Sequence, residues 1–273
     1  MDADDPGTTS ADATNLLSEP LRNWWEYSNS TEDIVHLTHE AFGQVTQTPK
    51  LYELLEAPED DVQRARWKAE RAQKEIDAGF STVHAHSLLG LWGAFECLIE
   101  DLFIAAINDD PSLLAEEAFA KVKIPVPVMY GLNEDDRSRM VLQETSRSLN
   151  VELAQGVSRF ERLLELVHLD GPIPRRVRQA VFEANHIRNV WAHRAGIADV
   201  RFVDNCPHLG YAVGDKVEMN SAMFMPFMHA FHMYVVVLTN RQRIADGKAP
   251  IDVECEGYEG CLREIEQITD VVD

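Results

Sequence analysis

The chain has 273 residues and a hydrophobic content of 45%, enough to form one large folded domain or two smaller ones. Its formal net charge of −21 argues against a protein that coats nucleic acid through a broad positive surface, and therefore against binding to double-stranded DNA. No apolar run reaches the roughly 18 to 20 residues that cross a bilayer, and the acidic N-terminus lacks signal-peptide features, so we expect a cytoplasmic protein without membrane contact.

The charge is distributed unevenly along the chain. Residues 174–201 carry six arginines against Glu183 and Asp199, whereas residues 250–273 carry eight acids against Arg263. A small basic segment on an acidic protein suits the capture of one or two phosphates. The four cysteines have neither disulfide-framework nor zinc-site spacing, so we expect no metal and no cofactor.

The N-terminal part is predicted to be helical after a disordered start. Residues 1–17 are acidic, lack periodicity and are expected to be disordered. Residues 18–79 form a helical extension in this prediction, with a short helix over 20–27, a second helix capped by Thr31 and a charged helix over 58–78.

A strong core helix is predicted from Ser81 to Ile107. Its apolar residues share one broad face, and Glu96 lies at the edge of that face, where a carboxylate must be paired, hydrated or facing a cleft. The prediction continues with a short helix over 111–122, an extended connector over 123–130, and helical segments over 135–167 that break near Asn150.

The next predicted helix starts after Pro174 and ends before Gly196. Residues 202–219 are predicted as a loop with short extended segments that turn at Gly214 and Asp215, and Ser221 caps the last core helix. The predicted fold is therefore an all-α bundle over 80–245, with a small loop or hairpin before its last core helix. Residues 246–273 form an acidic tail with room for a short helix.

One six-residue stretch stands out near the end of the helix that follows Pro174. It reads Arg188-Asn189-Val190-Trp191-Ala192-His193 and is followed by Arg194-Ala195-Gly196-Ile197-Ala198-Asp199 and by a Gly214-Asp215 segment. This pattern resembles the HEPN superfamily, in particular its RiboL-PSP-HEPN-like members, over residues 80–243. The resemblance implies a HEPN-like helical bundle.

The motif residues suit metal-independent RNA cleavage. Histidine transfers protons near neutral pH, which suits His193, and the planar guanidinium of Arg188 can hold two phosphate oxygens. Asn189 could donate a hydrogen bond to the phosphate or fix the imidazole tautomer. The resemblance implies catalytic roles for Arg188 and His193, products with a 2′,3′-cyclic phosphate and a 5′-hydroxyl, and a further catalytic residue at Glu96. Three neighbours are candidate substrate-binding residues: Arg194, His186 and Arg178.

Helix geometry separates the two principal residues of the motif. Positions five apart on a straight helix differ by about 140°, so Arg188 and His193 do not share a face. Family members pair two protomers around one cleft, which implies a homodimer here. The resemblance also implies an RNA substrate, a toxin or phage-defence role and a cognate antitoxin protein. Two alternatives stay open: a non-catalytic HEPN module that binds nucleotide, RNA or a protein partner, and a structural use of the motif in which Arg188 pairs with a buried acid such as Glu96.

Overall fold

The computed structural model describes residues 19–148 and 156–251. The described residues form α-helices and short 3₁₀ helices, which confirms the predicted all-α class. The α-helices are α1 (Glu19–Leu54), α2 (Glu59–Asp77), α3 (Ser81–Asp109), α4 (Val126–Gly131), α5 (Glu134–Ser148), α6 (Val157–Glu165), α7 (Arg175–Arg194), α8 (Val200–Asn205) and α9 (Ser221–Ala245). The 3₁₀ helices are Pro111–Ala115, Glu117–Phe119 and Pro207–Leu209.

The predicted break in the N-terminal helical extension is wrong, because α1 runs without interruption from Glu19 to Leu54. Thr31 does not cap a helix. Its side chain is buried, and its hydroxyl donates to the Tyr27 carbonyl oxygen one turn earlier, at 2.9 Å. A threonine that bonds back to the preceding turn fits a helix interior, so the N-cap signal of Thr31 was misleading.

The segment between α3 and α5 also differs from its prediction. Two 3₁₀ helices replace the single short helix predicted over 111–122, and α4 begins within the predicted extended connector. Pro127 occupies the second position of α4, where the missing N–H of proline costs no intrahelical hydrogen bond. The helices predicted over 135–167 are confirmed as α5 and α6, whereas Asn150, residues 1–17 and residues 252–273 of the predicted tail lie outside the described residues.

The chain divides into two compact units, each built from separate stretches. Of the described residues, unit 1 contains 19–26, 95–148, 156–173 and 233–251. Its core packs the Phe95 ring against Phe160 and Tyr234, with centroid distances of 5.2 and 5.1 Å. The Glu161 carboxylate accepts hydrogen bonds from the Tyr234 hydroxyl, from the Arg241 guanidinium at 3.1 Å and from the Gly171 N–H at 2.9 Å.

Unit 2 contains residues 27–94 and 174–232 of the described chain. The Trp92 ring meets Phe231 edge-on with centroids 5.9 Å apart, and the His84 ring stacks on Phe224 at 5.0 Å. His84 Nδ1 also lies 2.9 Å from the Met219 carbonyl oxygen, so it carries the ring proton that this acceptor needs. One face of α7 is fully buried in this unit, including Val177, Ala180, Val181, Ala184 and Ile187.

The last helix is longer than predicted. α9 continues through Pro226, His229 and His232 and extends to Ala245. By length and composition it could cross a membrane, but 61% of its most apolar window is buried within the protein. The core helix of a soluble protein passes the same test. The cap also differs from the prediction, because the Asn220 side chain, one residue before Ser221, accepts from the Met223 N–H at 3.1 Å.

Candidate functional site

The motif lies at the C-terminal end of α7, just before the glycine that was predicted to end this helix. Ala195 and Gly196 both adopt left-handed backbone conformations, with φ of 51° and 82°. The Gly196 N–H donates to the Val190 carbonyl oxygen at 3.1 Å, which satisfies one of the acceptors left open at a helix end. The chain therefore turns sharply just after His193 and Arg194.

A small antiparallel contact supports this turn, at the place where a hairpin was predicted. Ile197 pairs with Lys216, and the turn includes Gly214 and Asp215. Lys216 Nζ lies 4.1 Å from the Trp191 ring centroid and donates to the Ala195 carbonyl oxygen at 2.6 Å. One ammonium group thus joins the motif helix, its C-cap and the hairpin.

Gly196→Ala should destabilise this end of the motif helix. The new Cβ would lie 2.7 Å from Lys216 Nζ and 3.1 Å from the Trp191 ring, at a φ of 82° that side chains rarely adopt. We expect a loss of about 1–3 kcal/mol in the free energy of unfolding, measured by urea denaturation. Gly210→Ala is the matched control, since Gly210 has a φ of 73° with open space around it. Equal losses in both variants would contradict a steric contribution from Lys216 and Trp191.

The motif end of α7 borders a cleft of about 220 Å³ in unit 2. The lining residues are His186, Asn189, Val190, His193, Arg194, Asp199, Arg201 and Phe202. The first four lie at positions i, i+3, i+4 and i+7 of α7 and therefore share one helix face. Four sequence-predicted site residues, His186, Asn189, His193 and Arg194, are thus brought together in one cleft.

The rim of the cleft is polar and carries two guanidinium groups. His193 and Arg194 are exposed, and Arg194 Nε lies 3.8 Å from Asp199 Oδ2. Asp199 also accepts from the Phe202 N–H at 2.9 Å and so caps α8, which carries the exposed Arg201. An accessible imidazole in one cleft with two guanidinium groups suits the binding of a phosphate and proton transfer to or from one of its oxygens.

His186 is the buried member of this cleft. It is 2% exposed, and its ring meets Phe182 at a centroid distance of 4.5 Å. Its Nε2 atom is buried and has no hydrogen-bond partner among the described residues. Burial, and after it the positive charge of Arg201, lowers the pKa of His186, so the ring is neutral at pH 7.

Arg188 lies away from this cleft. It is about 160° around α7 from His186 and about 140° from His193, and it is not among the residues that line the cleft. Its guanidinium carbon lies 5.8 Å from the Trp92 ring centroid, and its Nη1 donates to Asn189 Oδ1 at 2.9 Å. Because Oδ1 faces Arg188, the Asn189 amide NH₂ is the group that remains for a ligand.

The other two predicted residues lie elsewhere. Glu96 belongs to unit 1, where its Oε1 accepts from Arg159 Nη1 at 2.6 Å and where it lines a separate cleft of about 300 Å³. The pairing meets the requirement that a carboxylate at the edge of an apolar face find a partner. Arg178 is exposed on the first turn of α7 and does not line the cleft of His193.

A buried polar cluster in unit 2 raises the pKa of the neighbouring Cys206 thiol. Glu183 is fully buried; its Oε1 accepts from Gln179 at 2.6 Å and lies 2.9 Å from His208 Nε2. Burial raises the pKa of the Glu183 carboxyl. Burial, and the negative charge of Glu183, raises the pKa of the Cys206 thiol to about 12, so the reactive thiolate does not form near neutral pH.

Sequence reasoning missed part of the cleft. Asp199, Arg201 and Phe202 come from the segment after α7, and helix periodicity says nothing about where such a segment folds back. The one sequence feature that pointed to Arg201 was composition, because this arginine is the last residue of the basic segment 174–201. The chemistry of the cleft has to be judged from the residues that line it, because no model of a known family, no curated protein and no solved structure matches this chain.

Proposed function

We propose that this chain is a metal-independent endoribonuclease of the HEPN type. The observation that supports the proposal is the cleft at the end of α7, where the exposed His193 lies with Asn189, Arg194 and Arg201 on a protein of net charge −21. A cation pair confined to one cleft suits a single scissile phosphate more than a long duplex. In this proposal the 2′-hydroxyl of RNA attacks the adjacent phosphate and releases the 5′-oxygen.

Four of the cleft residues have a role in that reaction. His193 exchanges a proton with a reacting oxygen, and Arg194 and Arg201 offset the charge that builds up on the phosphate. The Asn189 amide, oriented by Arg188, donates a hydrogen bond to a phosphate oxygen. Arg188 is a positioning residue within one chain. In a dimer that brings two motifs to one cleft, its guanidinium would also reach phosphate.

The direct test is incubation of the purified protein with total RNA in EDTA. We expect fragments that end in a 2′,3′-cyclic phosphate and begin with a 5′-hydroxyl, identified by resistance of the 3′ ends to ligation and by labelling of the 5′ ends with kinase. An intact RNA population over a range of pH and salt would overturn the proposal. Growth arrest on expression of the wild type would support a toxin or phage-defence role, neutralised by an antitoxin protein.

Arg188→Lys should lower cleavage at least tenfold. Lysine keeps the charge but loses the planar fork, which here places one N–H on Asn189 and the guanidinium carbon over Trp92. A tenfold loss corresponds to about 1.4 kcal/mol of transition-state stabilisation. Initial rates on a short RNA substrate provide the measurement, with Arg71→Lys as the control, since the Arg71 guanidinium also lies over a tryptophan ring, Trp67, outside the cleft. Wild-type rates for Arg188→Lys would show that only positive charge matters at this position.

A homodimer is expected because Arg188 and His193 lie on different sides of α7. An isologous interface presents the same surface from both subunits and can bring two motifs to one substrate. Light scattering at micromolar concentration should report about twice the mass of 30.9 kDa. Wild-type subunits mixed with inactive His193→Ala subunits should lose activity beyond dilution. An active monomer would exclude the shared cleft and leave the ribonuclease proposal standing.

A non-catalytic HEPN module is the second candidate, and the position of Arg188 favours it. Within one chain the motif arginine contacts Asn189 and Trp92 and does not line the cleft of His193. Such a module would bind nucleotide, RNA or a protein partner without cleaving. Tight binding of an RNA that remains intact in the EDTA incubation would decide for this alternative.

A further inference from the structure

The cleft contains a second imidazole whose role remains to be assigned. His186 and His193 line the same cleft from the same face of α7, seven residues apart. Seven residues of α-helix rise about 10.5 Å along the axis, and this spacing of the two backbone positions suits one phosphate group with a hydrogen bond to each imidazole. Asn189 lies between them on that face.

Cleavage by the 2′-hydroxyl needs two proton transfers. A base takes the proton of the attacking oxygen and an acid protonates the leaving oxygen, and the two oxygens lie on opposite sides of phosphorus because the displacement is in line. Within one chain, a single imidazole cannot occupy both sides of the same phosphate. Glu96 is paired with Arg159 in unit 1, and Asp199 caps α8 and faces Arg194, so neither carboxylate is suited to the second role.

His186 has the properties of the missing base. It is neutral at pH 7, because burial and the charge of Arg201 lower its pKa, and a neutral imidazole is the form that accepts a proton. Its buried Nε2 has no partner among the described residues, and a buried polar atom of this kind favours a ligand that can pair with it. The exposed His193 is left for the leaving group, which must depart to solvent.

We propose that His186 is the general base and His193 the general acid of one cleft, on the condition that the protein is the ribonuclease proposed above. The proton of the 2′-hydroxyl passes to His186 Nε2 as the bond from the 2′-oxygen to phosphorus forms. The bond from phosphorus to the 5′-oxygen breaks, and the His193 imidazolium protonates that oxygen. His186 ends protonated and His193 neutral, and exchange with solvent restores both. Substrate entry has to uncover Nε2, and side-chain rotamer changes on binding are common.

A substrate whose scissile 5′-oxygen is replaced by sulfur separates the two roles, because a thiolate leaves without being protonated. On ordinary RNA, His193→Ala and His186→Gln should each lose about 10²–10⁴-fold in rate. On the sulfur substrate the cleavage rate of His193→Ala should be within about tenfold of the wild-type rate. The rate of His186→Gln should remain as low, relative to the wild type, as it is on ordinary RNA. His84→Gln is the control, since His84 is another buried imidazole of unit 2 outside the cleft. Equal recovery of both cleft variants, or a wild-type rate for His186→Gln, would overturn the assignment.

A measurement on the wild type covers the case in which His186→Gln does not fold. The protein with ¹³C-labelled histidine is titrated by NMR with a 2′-O-methyl RNA oligonucleotide, which binds but cannot be cleaved. Bound RNA should shift the His186 ring signal together with that of His193. An unchanged His186 signal beside a shifted His193 signal would overturn the base role alone. A wild-type protein that cleaves no RNA would overturn the ribonuclease proposal and this assignment together.

Discussion

His193→Ala should abolish RNA cleavage and leave the protein folded. Removing a proton-transfer group costs about 10²–10⁴-fold in rate. The side chain is exposed at the last turn of α7, so its contribution to stability through the helix dipole is at most about 1–2 kcal/mol. Initial rates on total RNA in EDTA and a urea denaturation curve are the two measurements.

His86→Ala is the matched control for this variant. His86 is an exposed histidine of the same unit, and its Nδ1 lies 2.9 Å from the Thr82 carbonyl oxygen of its own helix. We expect wild-type cleavage from His86→Ala. Undiminished cleavage by a folded His193→Ala protein would contradict the proposed mechanism, whereas a loss shared by both variants would indicate an indirect effect.

The second large effect is a loss of stability on mild acidification. Burial, and after it the positive charge of His229, lowers the pKa of His232 from 6.5 to about 4. His232 Nε2 also lies 2.8 Å from the Ser28 hydroxyl, which it can contact as a neutral ring. The folded pKa is lower than the unfolded value, so the unfolded chain binds the extra proton as the pH falls below 6.5.

The stability that neutral His232 provides is therefore present above pH 6.5 and is lost between pH 6.5 and about 4. The difference between the two pKa values corresponds to about 3 kcal/mol. Burial also lowers the pKa of three other histidines of unit 2, His39, His84 and His186, and these act in the same direction. Glu183 opposes them, because its raised pKa makes protonation in this range favour the folded state.

Urea denaturation at pH 7.5 and at pH 4.5 measures this loss, and His232→Gln tests its origin. Glutamine does not titrate and can still hydrogen-bond to Ser28, so the variant should show a smaller difference between the two pH values. His36→Gln is the control, since His36 is exposed on α1 and pairs with Glu40 at 3.2 Å. An unchanged pH dependence in His232→Gln would show that His232 does not carry the effect.

Helix bounds that depend on proline and glycine were predictable from the sequence. Pro174 and Gly196 bracket α7 because proline suits the start of a helix and glycine accepts the left-handed turn after it. The helix N-cap predicted at Thr31 was wrong, because a threonine hydroxyl can either cap a helix or donate a hydrogen bond to the preceding turn. Only the burial of its surroundings, which depends on residues distant in sequence, decides between the two.

The residues of the cleft could also be predicted only in part from the sequence. The i, i+3, i+4, i+7 spacing of α7 places His186, Asn189, Val190 and His193 on one face, and this could be read from the chain. Arg201 and Phe202 join them because Asp199 caps α8 and the hairpin at Lys216 folds the intervening segment back. Those contacts depend on single side chains in an irregular segment, and no periodic pattern reports them.

The carboxylate of Glu161 has a consequence for the motion of the loop that precedes α7. By composition, Gly171 and Pro172 belong to a loop whose backbone amide should exchange its hydrogen with water as quickly as a free peptide. The Gly171 N–H instead donates to Glu161, and Arg241 donates to the same carboxylate and to the Leu169 and Pro172 carbonyl oxygens. We therefore expect the Gly171 amide to exchange more slowly than a free peptide amide, because its hydrogen bond to Glu161 has to open first.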